Sequence, residues 1–301
     1  MNIGIDFDNT IAFYDSLFRE VAFEEGFIPE SWCRGGKTEI RDYLKDQLGR
    51  ETTWMKLQGL VYGKYMHRAE MMAGLANFLL SCRVRNCKVF VVSHKTEYGH
   101  FDSEKISLRL KALKWMESKR FFDPYTFALK KNNVFFAGTR KKKIEKISQL
   151  KCDWFIDDLP DVFEEANFPS DTKKILYGDF SDLKLAIDAT VVDSWRKISK
   201  IVLGQINDSD VISWSKSLIS KPVEKIEKIP GRGNSKVFKV FVSNDNSYAL
   251  KYYPDQISDK RPRLTTEFGT LQLLNLNNII GCIFILFGVL ISQIVPELKI
   301  N

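Results

Sequence analysis

The chain has 301 residues, 44% hydrophobic and 28% charged, a balance that excludes a disordered or low-complexity protein and suffices for one large core or two smaller ones. The net charge is +7, but 45 lysines and arginines are scattered among 38 acids, which points to a general attraction for anions such as small phosphorylated ligands and away from a nucleic-acid footprint. The five cysteines (Cys33, Cys82, Cys87, Cys152, Cys282) are odd in number, form no CxxC pair and have no histidines at zinc spacing, and "MNIGIDFD" holds no apolar leader, so reduced thiols in a cytoplasmic protein are expected.

In chain order, "NIGIDF" (2–7) reads as a first strand. An insertion over about residues 15–70 follows, too long for a connection and too apolar for a bare loop, which predicts a small helical cap with Trp32, Trp54, Tyr62 and Tyr65 mainly in its core. The helical pattern "AGLANFLLSCRVRN" (73–86) leads into the strand "KVFVVSH" (88–94), and a second, shorter insertion carries a predicted helix over 102–119. "NVFFAG" (133–138), "DWFIDD" (153–158) and "KKILYG" (173–178) read as further strands, with the helix "RKKKIEKISQLK" (140–151) between the first two. Short strands rich in Ile, Val and Phe, joined by helices, predict an α/β fold: a doubly wound parallel sheet whose ligand lies beyond the carboxyl ends of the strands.

Around Ile201 the alternation stops, and residues 205–222 read as a linker. "VEKIEKIPGRGNSKVFKVFVSNDNSYALKYY" (223–253) has the alternation and central turn of an antiparallel meander, and "RPRLTTEFGTLQLLNL" (261–276) reads as a helix. The remaining residues, to 301, form a tail whose core "IIGCIFILFGVLISQIV" (279–295) is almost wholly apolar and marginal in length for the roughly 20 residues of a bilayer span.

The chemistry concentrates at strand ends. Asp6 and Asp8 follow the first apolar run and, two residues apart, project the same way. Two carboxylates held close repel unless a cation neutralises them, and an all-oxygen site favours Mg²⁺. Asp157 and Asp158 of "WFIDDLPD" close another strand and can share that ion, while Ser93 ends the strand "KVFVV".

With these residues the chain resembles the haloacid dehalogenase (HAD) superfamily of aspartate-nucleophile phosphohydrolases over about residues 1–204: "DFDNT" is similar to its first motif, "VVSHK" to its second, the basic run "RKKKIEK" lies where the third supplies a lysine, and "FIDD" is similar to the fourth. The resemblance implies that Asp6 attacks phosphorus, that Asp8 protonates the leaving oxygen and then activates water, and that Thr10 and Ser93 hydrogen-bond the transferring group. It further implies that Asp6, Asp157 and the backbone carbonyl of Asp8 hold Mg²⁺, with Asp158 adjacent, and that a lysine offsets the charge. Lys141, Lys142, Lys143 and Lys146 compete for that last role, and Lys143 is preferred because it opens the apolar-periodic "KIEKISQL". Asp161 reads either as a helper at the metal or as a helix cap, and the mechanism leaves His94 and His100 no role.

The segment 223–275 resembles the N-terminal lobe of the aminoglycoside phosphotransferase and choline kinase group, a small α+β unit. That resemblance implies a glycine-rich hairpin over ATP with Gly231 and Gly233 near the phosphates, Lys251 pairing with them and Glu267 holding the lysine. After Leu274 only 27 residues remain, so this lobe is expected to be truncated and inactive. The tail 276–301 then reads as a scar of truncation, ahead of a tail anchor giving membrane contact or a segment packed on the orphaned sheet. The expected function is a Mg²⁺-dependent phosphomonoesterase acting on a small phosphorylated metabolite, a sugar phosphate or nucleotide. The alternative is a noncatalytic module that binds phosphate or a nucleotide on the same scaffold and regulates a partner.

Overall fold

The computed structural model describes residues 1–32, 35–47, 49–124, 126–180, 187–204, 222–230, 236–242, 246–252 and 284–287, together with positions 209, 213 and 216. The chain runs β1 (Asn2–Ile5), β2 (Ala12–Phe13), α1 (Asp15–Glu24), α2 (Lys37–Asp42), α3 (Glu51–Tyr62), β3 (Glu70–Met71), α4 (Leu75–Val84), β4 (Lys88–His94), α5 (Leu108–Ser118) and β5 (Val134–Ala137). It continues α6 (Arg140–Gln149), β6 (Trp154–Asp157), α7 (Pro160–Phe163), β7 (Lys173–Tyr177), β8 (Thr190–Val192) and α8 (Trp195–Leu203), followed by β9 (Val223–Ile229), β10 (Lys236–Val242), β11 (Asn246–Tyr252) and β12 (Phe284–Phe287).

Six strands form one sheet in the order β5-β4-β1-β6-β7-β8, each parallel to its neighbours, and helices connect them: the expected doubly wound α/β arrangement. From β1 the chain steps outward to β4 and β5, then returns to the other side of β1 with β6 and continues to β7 and β8. The direction of winding reverses between β1 and β6, so a crevice opens beyond the carboxyl ends of those two strands.

The central strand is buried on both faces, with Ile3 and Ile5 inaccessible, and Gly4 makes room for its neighbour: a Cβ there would collide with the Phe155 ring and stand 3.0 Å from Cys152 Sγ. Gly4→Ala is therefore expected to destabilise the fold by about 1–3 kcal/mol, the usual range for overpacking a filled interior, read as a lower urea midpoint.

β2 and β3 pair as a short antiparallel ribbon, and the helices α1, α2 and α3 lie between them in the chain. Their interior is aromatic: Phe18 stacks on Trp54 at 5.3 Å, and Tyr14 meets Tyr62 edge-on at 4.9 Å. The returning chain is tied down where Trp115 Nε1 donates to the Ala69 carbonyl at 2.8 Å.

Two features differ from the sequence expectation, and a third point concerns the tail. The helix expected from 102 begins at Leu108, because the Asp102 carboxylate accepts from the Glu104 and Ile106 amides and curls the chain, leaving Ser107 to cap Leu110 N at 3.1 Å. The strand β8 and the helix α8 stand where no element was expected: "TVV" is too short to show a period, and α8 turns Trp195 and Ile198 inward at a helical spacing of three. Much of the tail lies outside the described residues, but Phe284–Phe287 is a strand parallel to Ala249–Tyr252, so this part joins the sheet.

β9, β10 and β11 form the expected antiparallel meander, with Phe238, Val240, Val242 and Leu250 buried. Lys251 stands on β11 opposite Val237, whereas Gly231, Gly233, Glu267 and the helix expected over 261–276 lie outside the described residues. Among the described residues no helix is long and apolar enough to cross a membrane.

Candidate active site

The site grows from the end of β1. Asp6 N still pairs with the Ile156 carbonyl at 2.9 Å, after which the chain coils: the Ile11 and Ala12 amides both donate to the Phe7 carbonyl at 3.0 Å. Asn9 takes the left-handed conformation at φ 55°, one that asparagine tolerates and that lets its side chain donate to Asp158 Oδ2 at 3.1 Å. This coil buries Asp6 and Thr10 and leaves the Asp8 carboxylate half-buried at the rim.

Asp6, at the end of β1, and Asp157 and Asp158, at the end of β6, meet across the winding reversal, and one oxygen of each lies within 4.8 Å of the others. Lys143, on the first turns of α6, inserts its ammonium between two of them, 2.5 Å from Asp6 Oδ1 and 2.6 Å from Asp157 Oδ2. All three of these side chains are almost inaccessible. Burial by itself would lower the Lys143 ammonium, but Asp157 and Asp6 outweigh that cost and hold it raised above the ordinary lysine value. Burial pushes Asp157 up, helped by the negative Asp6 and Asp158 and opposed by Lys143. Burial and Asp6 push Asp158 up in the same way. An all-oxygen donor set whose charged forms are strained by desolvation and mutual repulsion fits a hard divalent cation.

The other lysines of the basic run point elsewhere: Lys141 and Lys142 are exposed, and Lys146 Nζ bonds Gln149 Oε1 at 2.7 Å. Asp161 pairs with Arg140 at 3.1 Å on the surface and His94 and His100 are exposed, so none of the three joins the carboxylate group. Thr10 and Ser93 are buried, and their hydroxyl oxygens have no hydrogen-bond partner. Ser93 is the last residue but one of β4, which lies next to β1 in the register Ile5↔Val91. Unsatisfied buried hydroxyls are costly; among the described residues Thr126 and Ser199 also have one, but Thr10 and Ser93 are the two that lie at the carboxyl end of the parallel sheet.

Four contributors were not singled out in the sequence. Lys95, 4% exposed, brings its ammonium 2.8 Å from Asp8 Oδ2, and Tyr14 Oη donates to Asp8 Oδ1 at 2.7 Å. Burial and the negative Asp8 keep the Tyr14 phenol well above its ordinary value, so it remains a donor. Lys37, the first residue of α2, lies 5.8 Å from the Tyr62 ring centroid; burial would lower it, and Tyr62, Asp158 and Asp8 hold it raised. Asn9 is the fourth. One signal was available: Lys95 follows Ser93 by two residues, just past the end of β4, the same sequence spacing that relates Asp6 to Asp8. Tyr14 and Lys37 belong to the insertion, whose fold over the sheet no local pattern announces.

No family model and no curated protein matches the chain. Among solved structures it is similar to a HAD-superfamily hydrolase from Ehrlichia chaffeensis, at 14% identity over 68% of this chain and 97% of that one with a TM-score of 0.39. It is similar also to a HAD family hydrolase from Deinococcus radiodurans R1 with bound phosphate and sodium, at 11% identity over 67% of this chain and 94% of that one with a TM-score of 0.40.

Proposed function

We propose that the chain is a Mg²⁺-dependent phosphomonoesterase acting through an aspartyl-phosphate on a small phosphorylated metabolite. The observation that carries this reading is the pair of buried, partnerless hydroxyls of Thr10 and Ser93 at the same end of the sheet as the buried carboxylates of Asp6 and Asp157 and the half-buried Asp158. Asp8 and Lys95 neutralise each other, and the other three carboxylates (Asp6, Asp157, Asp158) face two ammonium groups (Lys37, Lys143), a deficit of positive charge that a divalent cation turns into a surplus suited to a phosphate dianion.

Asp6 Oδ attacks phosphorus while the ester P–O bond breaks, its electron pair passing to the leaving oxygen, which takes a proton from Asp8. Water then attacks the same phosphorus and gives a proton back to Asp8, and the bond from Asp6 to phosphorus breaks, releasing inorganic phosphate. Thr10 and Ser93 donate to the phosphoryl oxygens, and Lys143 holds Asp6 in line and offsets the accumulating charge. Asp6, Asp157 and Asp158, with the Asp8 backbone carbonyl, would hold Mg²⁺, which supplies charge compensation at the phosphoryl oxygens. Tyr14, Lys37 and Tyr62 come from or beside the inserted helices and reach the same site, which favours a small substrate over a phosphoprotein.

Assay of the full chain with p-nitrophenyl phosphate and a panel of sugar phosphates and nucleotides, in Mg²⁺ and in EDTA, tests this. Turnover that requires Mg²⁺ is expected; saturable binding with no turnover across the panel would replace the enzyme with a ligand-binding module. Ser93→Ala is expected to leave Tm unchanged or slightly raised, because it deletes an unsatisfied hydroxyl, while lowering kcat/KM by about tenfold, the worth of one hydrogen bond to a charged group. For residues 223–275 the β9–β11 meander supports the kinase-like reading only as an arrangement of strands. Titration of the full chain with ATP, with Lys251→Ala as the comparison, tests whether it binds nucleotide.

A further inference from the structure

The Asp8 carboxylate stands apart from the other three. Among the described residues the group able to share one cation is Asp6, Asp157 and Asp158, and Asp8 is turned instead toward Lys95, which reaches it with Nζ at 2.9 Å from Oδ1 and 2.8 Å from Oδ2. A second group fixes the same carboxylate, since the Tyr14 hydroxyl donates to Oδ1 at 2.7 Å. Lys95 is itself immobilised. Its side chain is 3% exposed, its ammonium lies over the Tyr62 ring at 4.8 Å and the Phe7 ring at 5.5 Å, and its backbone is locked by Lys95 N to the Ala137 carbonyl and by Arg109 Nε to the Lys95 carbonyl, both at 3.0 Å. A buried lysine held on two rings and extended from the strand that carries Ser93 is a rigid strut.

We infer that Lys95 is a positioning residue: with Tyr14 it keeps the Asp8 carboxylate swung out of the cation-holding group, so that Asp6, Asp157 and Asp158 take the metal and Asp8 is reserved for the substrate oxygens. Two like-charged tasks are thereby separated at residues only two apart. Without the strut, the Tyr14 hydrogen bond and the more distant attraction of Lys37 are what remain among the described residues to oppose rotation of Asp8 toward a nearby cation, where its oxygens would become ligands. The inference rests on the phosphatase reading and goes beyond it, because it assigns work to a side chain that makes no contact with the carboxylates expected to react with phosphorus or to hold the metal.

Proton transfer to the leaving oxygen matters greatly for an alkyl alcohol and little for p-nitrophenolate, which departs as a stable anion. For Lys95→Met, of similar length and apolar, kcat/KM for an alkyl phosphomonoester is expected to fall about 10²-fold at saturating Mg²⁺, while that for p-nitrophenyl phosphate changes less than about threefold. Tyr14→Phe, which deletes one oxygen and keeps the ring and the charge, should show the same leaving-group dependence with a smaller loss, and it carries the test if Lys95→Met does not fold; without substrate, its Mg²⁺ binding, read from thermal melts, should tighten as Asp8 becomes able to join the ligands, and unchanged or weaker binding would count against the inference. Equal losses on the two esters, or a rise in KM alone, would overturn the inference and make Lys95 a substrate contact or a structural ion pair. A wild-type protein that turns over neither ester would instead remove the phosphatase reading and this inference with it.

Discussion

Asp6→Asn is expected to abolish phosphate ester turnover, by on the order of 10⁴-fold or more, while leaving the fold intact. The amide has the shape of the carboxylate but is no nucleophile toward phosphorus, so no covalent intermediate forms and none can be trapped by acid quench with a labelled substrate. Stability should move the other way from activity. Asp6 is 5% exposed and crowded by Asp157 and Asp158, so a neutral side chain relieves repulsion, and Lys143 keeps Asp157 as a partner at 2.6 Å. A Tm in EDTA equal to or above that of the wild type, together with vanished turnover, is the expected pair of results. Full turnover in Asp6→Asn would mean that another group attacks phosphorus.

Lys143→Met is expected to cost both activity and folding. Removing one partner of a buried ion pair leaves an uncompensated charge, at about 3–5 kcal/mol, and here two carboxylates lose their shared counter-ion. At the roughly 2–4 °C per kcal/mol of a fold of about 150–250 residues, that corresponds to a drop in Tm of about 6–20 °C. The pH dependence follows from the directions of the shifts. Lys143 is raised, so the stability it contributes is fully present below the ordinary lysine value and is lost only as alkaline pH passes through the folded value. Asp157 is also raised, by burial, which for a carboxylate has the opposite meaning: the folded state holds its proton more tightly than the unfolded chain does. Stability in EDTA should therefore decline as pH rises from the ordinary carboxylate range, about 4, toward the raised value. Mg²⁺, which binds the ionised form, should recover more of it at pH 8 than at pH 5, and Lys143→Met should steepen the decline. Thermal melts at the two pH values with EDTA and with Mg²⁺ check this, and a pH-independent effect of Mg²⁺ would separate the ion from these carboxylates.

The parts of this site visible in the sequence are those with a strong local pattern. Asp6, Ser93 and Asp157 stand at or just past the ends of apolar runs, and a parallel sheet collects such ends on one edge whatever the order of its strands. Lys143 could be separated from Lys141, Lys142 and Lys146 because helical periodicity turns it to the same side as Ile144 and Ile147. The rest depends on packing between distant segments. Tyr14 and Lys37 reach Asp8 and Tyr62 only once the inserted helices have folded back, and their own sequence does not state that approach. The short β8 left no periodic trace, and α8, although strongly amphipathic, begins at Trp195 on the edge of a stretch that otherwise reads as polar linker.

The central place of β1 also governs the order in which the molecule can be made. Its two neighbours are supplied by residues 88–91 and 154–156, and the carbonyl of Thr10 waits for the indole of Trp195, which donates to it at 3.0 Å across 185 residues. At about 5–20 residues per second on the ribosome, the earliest apolar strand remains without both flanking strands for roughly ten to thirty seconds. The nascent chain therefore carries an unpaired strand edge through about half of the synthesis of these 301 residues. A chain released before Trp195 emerges would leave the loop that carries Asp8 and Thr10 without its distal anchor.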